Sequence, residues 1–127
     1  MDFNDFNWHD AIINNIKINR TNAGIDDSIL FEIEWSEENE KANLVFERVY
    51  WISMNLNFGI IAKETILYAA QLDEQNEHLV NFYSKWKGAM NNVKMFIYKI
   101  ELNSTGGCII IIAKRFTVHK LLTSNVS

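Results

Sequence analysis

The sequence predicts an α+β fold: an antiparallel β-sheet of about five to six strands, with one or two helices inserted between strands 4 and 5. Several segments alternate apolar and polar residues with a period of two, which is typical of half-buried strands. One segment in the middle of the chain instead carries an apolar stripe at helical spacing. Because the order is strands, then helix, then strands, we expect the helix to pack on one face of the sheet.

Length and composition indicate a single domain over residues 1–127. Apolar residues make up 48% of the chain and charged residues 22%, which is close to the globular average and excludes a disordered chain. The chain has no proline, where average composition would give roughly six. The turns are therefore expected to use Gly, Asn, Asp and Ser.

Four strands are predicted in the first half of the chain, and an acidic turn over residues 36–40 connects the second to the third. The phase of the alternation does not change across Arg48, which leaves open that the fourth strand continues the third through a bulge. The four segments are residues 12–20, 28–35, 41–47 and 49–58.

Two helical segments are predicted next. Residues 64–72 change period and suit a short helix better than a strand. Residues 77–87 carry one apolar stripe, with Asn76 or Asp73 as the N-cap and Gly88 at the position of a left-handed C-cap.

The last third of the chain predicts a long hairpin. Residues 94–102 and 108–118 form its strands, and residues 103–107 supply a turn tolerant of positive φ. Residues 109–112 are four isoleucines, apolar on both faces. This pattern favours a central strand covered on both sides.

The sequence favours a soluble cytoplasmic protein. Cys108 is the single cysteine, which fits a reducing compartment. The N-terminus is acidic, and no apolar stretch of signal-peptide type follows it. The longest apolar run, residues 108–113, falls far short of the about 20 residues that span a bilayer.

Trp8-His9-Asp10 is the segment most suggestive of acid–base chemistry. Adjacent residues in an extended segment point to opposite faces, so His9 and Asp10 are not expected to pair simply as neighbours. We favour a structural role, in which Phe3, Phe6 and Trp8 pin the N-terminal arm on the core. Asp10 would then accept backbone N–H bonds in a turn.

No catalytic, cofactor-binding or metal-binding residue is predicted, and the chain is expected not to be an enzyme. Cys108 begins an apolar strand and suits a small buried side chain. The three histidines are far apart and no metal-ligand spacing occurs. Gly106-Gly107 precedes a strand rather than a helix, unlike a phosphate-binding loop.

Charge is distributed unevenly along the chain. Residues 1–81 hold fifteen acids and five bases, a net charge of −10, and residues 82–127 hold one acid and seven bases, a net charge of +6. An acidic surface would repel nucleic acid and attract a basic partner. The alternative, which we favour, is that acidic strands pair with basic ones across the sheet.

One aromatic side chain departs from the inward phase. The aromatic residues assigned to inward positions are Phe31, Trp35, Phe46, Tyr50, Phe58, Phe96 and Tyr98. Trp51 lies on the opposite phase and is the best candidate for an interface aromatic. The candidate partner-binding residues are Glu32, Glu34, Glu37, Glu38, Glu40 and Trp51.

Three segments resemble small bacterial β-rich proteins that open with a Trp-His-Asp segment. They are Trp8-His9-Asp10-Ala11-Ile12, the stretch from Val49-Tyr50-Trp51 through Phe58-Gly59-Ile60-Ile61-Ala62 to Glu64-Thr65-Ile66, and Asn103-Ser104-Thr105-Gly106-Gly107 leading into Ile111-Ile112-Ala113-Lys114. Some of these proteins resemble predicted immunity proteins, which bind and neutralise a bacterial toxin. The resemblance implies a protein partner and carries over no functional residue.

Together these features favour a non-enzymatic protein-binding module, an immunity protein whose acidic surface meets a basic toxin domain. One alternative is a small-molecule-binding protein or enzyme with a pocket between helix and sheet. Another is RNA binding through the basic final third, which the net charge of −4 disfavours. Exposed hairpin edges leave homodimerisation open. The liners expected for the pocket are Trp8, His9, Tyr50, Trp51 and Trp86.

Overall fold

A computed structural model describes residues 2–36, 40–86 and 93–121. In these residues, six strands form one antiparallel sheet that closes into a barrel in the order β1-β2-β3-β6-β5-β4, with one α-helix, α1, between β4 and β5. The predicted α+β class and its antiparallel sheet are confirmed. The elements are β1 (Ile12–Asn19), β2 (Ser28–Glu34), β3 (Lys41–Asn55), β4 (Glu64–Gln71), α1 (Glu77–Lys85), β5 (Phe96–Leu102) and β6 (Cys108–Lys120).

Strand β3 joins the predicted third and fourth strands into one, and it pairs with β6 over twelve residue pairs. The open question at Arg48 is thereby settled, because the chain bends there without leaving the sheet. Arg48 has a left-handed backbone, with φ 53°. The register against β6 shifts between Val49 and Trp51, which leaves Tyr50 as the extra residue of a bulge.

Strand β4 replaces the short helix predicted over residues 64–72, and that prediction is wrong. The register of β4 against β5 shifts between Ile66 and Tyr68. The extra residue, Leu67, places Ile66 and Ala69 on the same inner side although they are three apart in sequence. A bulge in a strand has therefore imitated the spacing of a helix.

The inward-facing residues of the strands and the N-terminal arm fill the barrel interior together. Phe3 is 0% exposed, and its ring lies 4.6 Å from that of Trp8 and 5.0 Å from that of Tyr98. Trp8 Nε1 donates a hydrogen bond to the Phe3 carbonyl over 2.6 Å. Burial raises the pKa of Tyr98 to about 12. The expected structural role of the arm is confirmed.

Helix α1 packs outside the barrel on a second apolar cluster. Leu79 and Phe82 face Ile97 and Ile112. The helix therefore covers the outer face of β6, as the run of four isoleucines predicts. Asn76 Oδ1 accepts a hydrogen bond from the His78 N–H over 3.0 Å, as expected of an N-cap. The proposed C-cap residue, Gly88, lies outside the described residues.

The barrel closes through a short junction between β1 and β4, here called the seam. Only Ile12 and Ile13 pair with β4, opposite Thr65 and Glu64, whereas β1 pairs with β2 along its whole length. Beyond Ile13 this edge of β1 faces the connection between β3 and β4. The seam is where the sheet is least complete.

Candidate functional site

The connection from β3 to β4 exposes large apolar side chains. We call residues 56–63 the seam loop. Phe58 is 85% exposed, Ile60 56% and Ile61 104%. Gly59 between them has φ 93°, a left-handed conformation that glycine adopts without strain. Large exposed apolar side chains so close together in sequence are typical of an interaction site.

Polar contacts to the β5–β6 turn fix both ends of the seam loop. Asn57 Nδ2 donates to the Thr105 carbonyl over 3.1 Å. Ser104 Oγ donates to the Lys63 carbonyl over 2.6 Å, at the other end of the loop. The Glu64 carboxylate accepts from the Ser104 N–H over 3.1 Å and from Thr105 Oγ1 over 2.6 Å. These bonds hold the exposed apolar residues in position.

Gly107 brings that turn against the end of β3. A Cβ placed on Gly107 would lie 2.4 Å from the Asn55 carbonyl oxygen and 3.2 Å from Leu102 Cδ1. Real side chains do not approach a backbone oxygen so closely, so only glycine fits here. Gly107 thus permits the close contact between the β5–β6 turn and the end of β3, and this turn holds the seam loop.

A groove of about 400 Å³ lies between β1 and the seam loop. We call it the seam groove. Ile13 and Ile16 line it on the β1 side, and Leu56, Phe58 and Ile60 line it on the loop side. Its apolar floor belongs to the barrel core, which reaches the surface here because strand pairing stops at the seam.

Two of the predicted acidic residues adjoin the seam groove. Asn14 and Asn15 line the groove, and each donates to a carboxylate of β2: Asn14 Nδ2 to Glu34 Oε1 over 2.7 Å, and Asn15 Nδ2 to Glu32 Oε2 over 3.2 Å. Lys17 Nζ lies 2.8 Å from Glu32 Oε1. Hydrogen bonds from Lys17 and Asn15 hold the pKa of Glu32 below its ordinary value of 4.5.

The remaining acidic candidates lie apart from the groove or outside the described residues. Lys120 Nζ lies 3.3 Å from Glu40 Oε2, where β6 runs beside β3. Glu37 and Glu38 fall outside the described residues. Of the three predicted carboxylates that the structure describes, it therefore brings together Glu32 and Glu34.

Of the six bases in residues 82–127 that the structure describes, four form ion pairs with carboxylates, three of them with acids from residues 1–81. The hydrogen bond from Lys99 to Glu101 raises the pKa of Lys99. Arg115–Glu47 joins the neighbouring strands β6 and β3, as cross-strand pairing predicts, whereas Lys99–Glu101 lies within β5. The pairs are Lys94–Glu74, Lys99–Glu101, Arg115–Glu47 and Lys120–Glu40.

Trp51 is half-buried beside α1, with its ring stacked on that of His78 at 5.6 Å between centroids. Tyr50 also packs against the helix cluster, because the bulge in β3 turns both residues to the outside of the barrel. Its assignment to the inward phase is wrong. Trp51 and Tyr50 border a cavity of about 430 Å³ under α1.

His9 and Asp10 lie together, contrary to the sequence argument. Asp10 has φ 66°, and its Oδ2 lies 3.4 Å from His9 Nε2. The left-handed backbone at Asp10 turns its carboxylate toward the imidazole, which an extended segment would not do. His9 Nδ1 lies 2.9 Å from the Leu67 carbonyl oxygen, and both side chains are exposed.

Cys108 is half-buried at the start of β6. Among residues 2–36, 40–86 and 93–121, no three His, Cys, Asp or Glu side chains come close enough to hold a metal ion. In the same residues no helix is long and apolar enough to cross a membrane.

Sequence reasoning missed the seam loop. The alternation of β3, extended to residue 58, predicts an inward Phe58, but β3 ends at Asn55. Gly59 and the non-alternating Ile60 and Ile61 were the available signal, since they follow the strand without its period.

Comparison of the chain with protein-family models, curated proteins and solved structures yields no match.

Proposed function

We propose that this chain is a non-enzymatic protein-binding module of the cytoplasm, an immunity protein that neutralises a bacterial toxin by covering part of its surface. The observation that carries the proposal is the seam loop, where Phe58, Ile60 and Ile61 are exposed while both ends of the loop are hydrogen-bonded to the β5–β6 turn. Exposure of three large apolar side chains is costly in water unless a partner covers them.

The surroundings of the loop support an interface. Protein interfaces combine an apolar centre with a polar rim. Here the seam loop and groove supply the centre, and Asn14 and Asn15 lead directly to Glu34 and Glu32 on β2. The carboxylates therefore suit a rim rather than a centre.

A basic toxin domain is the partner that this arrangement suits. Glu34 accepts from Asn14 in the structure, so its negative charge stays available to a partner. Rim carboxylates of this kind accelerate association more than they deepen affinity. The resemblance to predicted toxin-immunity proteins points to the same class of partner.

The test is co-expression with the toxin encoded beside this gene. Cells that carry both proteins should survive, and the Phe58→Ser/Ile61→Ser double variant should lose protection because two anchors are removed. With purified proteins, we expect Kd for the toxin to rise at least about tenfold. Ile25→Ser is the matched control, since Ile25 is 61% exposed in a different loop.

Two results would contradict the proposal. One is that cells die as readily with the protein as without it. The other is that the folded double variant protects as well as the wild type. A second readout addresses the rim: Glu34→Gln should lower the association rate at low salt and leave the dissociation rate nearly unchanged.

A further inference from the structure

The cavity between α1 and β3 has walls that are mostly aromatic. Its volume is about 430 Å³, within the range of small-molecule sites. Tyr50 and Trp51 border it from the bulge in β3, and Phe82 and Trp86 border it from the helix. Trp86 is 50% exposed, so a large part of its ring faces solvent beside the cavity.

The rings are held by contacts with one another. The Trp51 ring stacks on His78 with 25° between the planes. Phe82 lies 6.3 Å from Tyr50 and 6.1 Å from Trp86, measured between ring centroids. The walls are thus set before any ligand arrives, which lowers the entropic cost of binding.

Polar groups at the cavity lie on α1 and favour an anion. Asn81 and Lys85 line it together with His78, and no carboxylate is present among its lining residues. Lys85 forms no ion pair with the carboxylates that the structure describes. A positive charge beside flat apolar walls suits a flat molecule with a negative end.

We propose that this cavity binds a planar aromatic carboxylate. The ring system stacks on the indoles of Trp86 and Trp51, and the carboxylate meets the ammonium group of Lys85. The site is separate from the seam loop, so this inference does not depend on the proposed protein partner. It gives Trp51, first singled out as an interface aromatic, a place in a ligand site.

The experiment uses two probes that share a ring and differ in charge: indole-3-acetate and the neutral indole-3-ethanol. The four tryptophans provide internal reporters through their indole N–H signals in nitrogen-15 NMR spectra. Indole-3-acetate should shift the signals of Trp51 and Trp86 saturably. Those of Trp8 and Trp35, which are buried in the barrel core, should not move.

Variants separate the two parts of the proposal. Trp86→Leu should weaken indole-3-acetate binding about tenfold through lost stacking. Lys85→Gln should remove the preference for the acid over the alcohol and leave binding of the alcohol unchanged. Val80→Ala is the control, because Val80 is exposed on α1 and does not line the cavity.

Three results with the wild-type protein would overturn the inference. They are no saturable shift with indole-3-acetate, equal shifts of all four indole signals, and equal affinity of the wild type for the acid and the alcohol. A Lys85→Gln variant that still prefers the acid would also overturn it. Toxin protection by the Trp86→Leu variant serves as an independent check that the seam surface is intact.

Discussion

The Glu32 carboxylate accepts hydrogen bonds from Lys17 and Asn15, both on β1. Because its pKa is lower in the folded chain than the ordinary 4.5, the ionised form stabilises the fold. This stabilisation is fully present above pH 4.5 and is lost as pH falls through the folded pKa. We expect Glu32→Gln to lower Tm at neutral pH and to match the wild type in strong acid.

Thermal unfolding followed by circular dichroism across the acidic range checks this. Glu34→Gln is a suitable comparison, since Glu34 lies on the same strand face and accepts from an amide. A Glu32→Gln variant whose Tm difference persists undiminished in strong acid would show that the effect does not come from ionisation.

Gly107 gives a second test at the residue scale. Gly107→Ala would place a methyl group 2.4 Å from the Asn55 carbonyl, so the backbone must move. We expect a loss of about 2–3 kcal/mol in the free energy of unfolding. Gly106→Ala, at φ 75° with open space around it, should cost only about 1 kcal/mol.

Urea unfolding of the two variants provides the measurement. An equal or smaller loss at Gly107 than at Gly106 would contradict the close approach. Gly107→Ala should also loosen the seam loop, and faster proteolysis near Lys63 would report this.

At the scale of elements, most strands and α1 could be predicted because their side-chain periods are regular. Residues 28–35 alternate without interruption, and β2 lies there. The failures occur at bulges. At Ile66–Tyr68 an extra residue broke the period of two, and at Tyr50 the extra residue itself faces outward while Ile52 and Met54 stay inward. A bulge has no residue-type signature strong enough to reveal it beforehand.

The candidate site was less predictable than the fold for a physical reason. The seam loop matters because strand pairing between β1 and β4 stops after two residue pairs. The extent of this pairing depends on the barrel topology, which local sequence does not specify. The outward positions of Glu32 and Glu34 could be predicted because the phase of a strand is a local property of its sequence.

The whole molecule explains the uneven distribution of charge. The barrel order sets β3 beside β6, so acids from the first part of the chain meet bases from the last, as in Glu47–Arg115 and Glu40–Lys120. Surface pairs of this kind contribute little individually to stability.

The N-terminal arm should be essential to the stability of the whole barrel. Phe3 is fully buried among rings from β3, β5 and β6. We expect Phe3→Ala to cost about 3–5 kcal/mol, a large part of a typical domain's stability. Phe58→Ala removes the same side chain from an exposed position and should change stability by less than about 0.5 kcal/mol.

Equilibrium denaturation in urea compares the two variants directly. A loss below about 1 kcal/mol for Phe3→Ala would mean that the barrel closes without the arm. A loss at Phe58 as large as that at Phe3 would mean that the seam loop is packed rather than exposed.

The position of Phe3 also bears on how the chain folds during synthesis. The centroid of its ring lies 5.1 Å from that of Phe116. The N-terminal arm therefore cannot complete its packing until β6, the last strand in chain order, has been synthesised. Until β6 leaves the ribosome, β3 lacks its longest partner and the interior stays open. We therefore expect the barrel to complete its folding only after β6 has been translated, with the isoleucine-rich strands exposed until then.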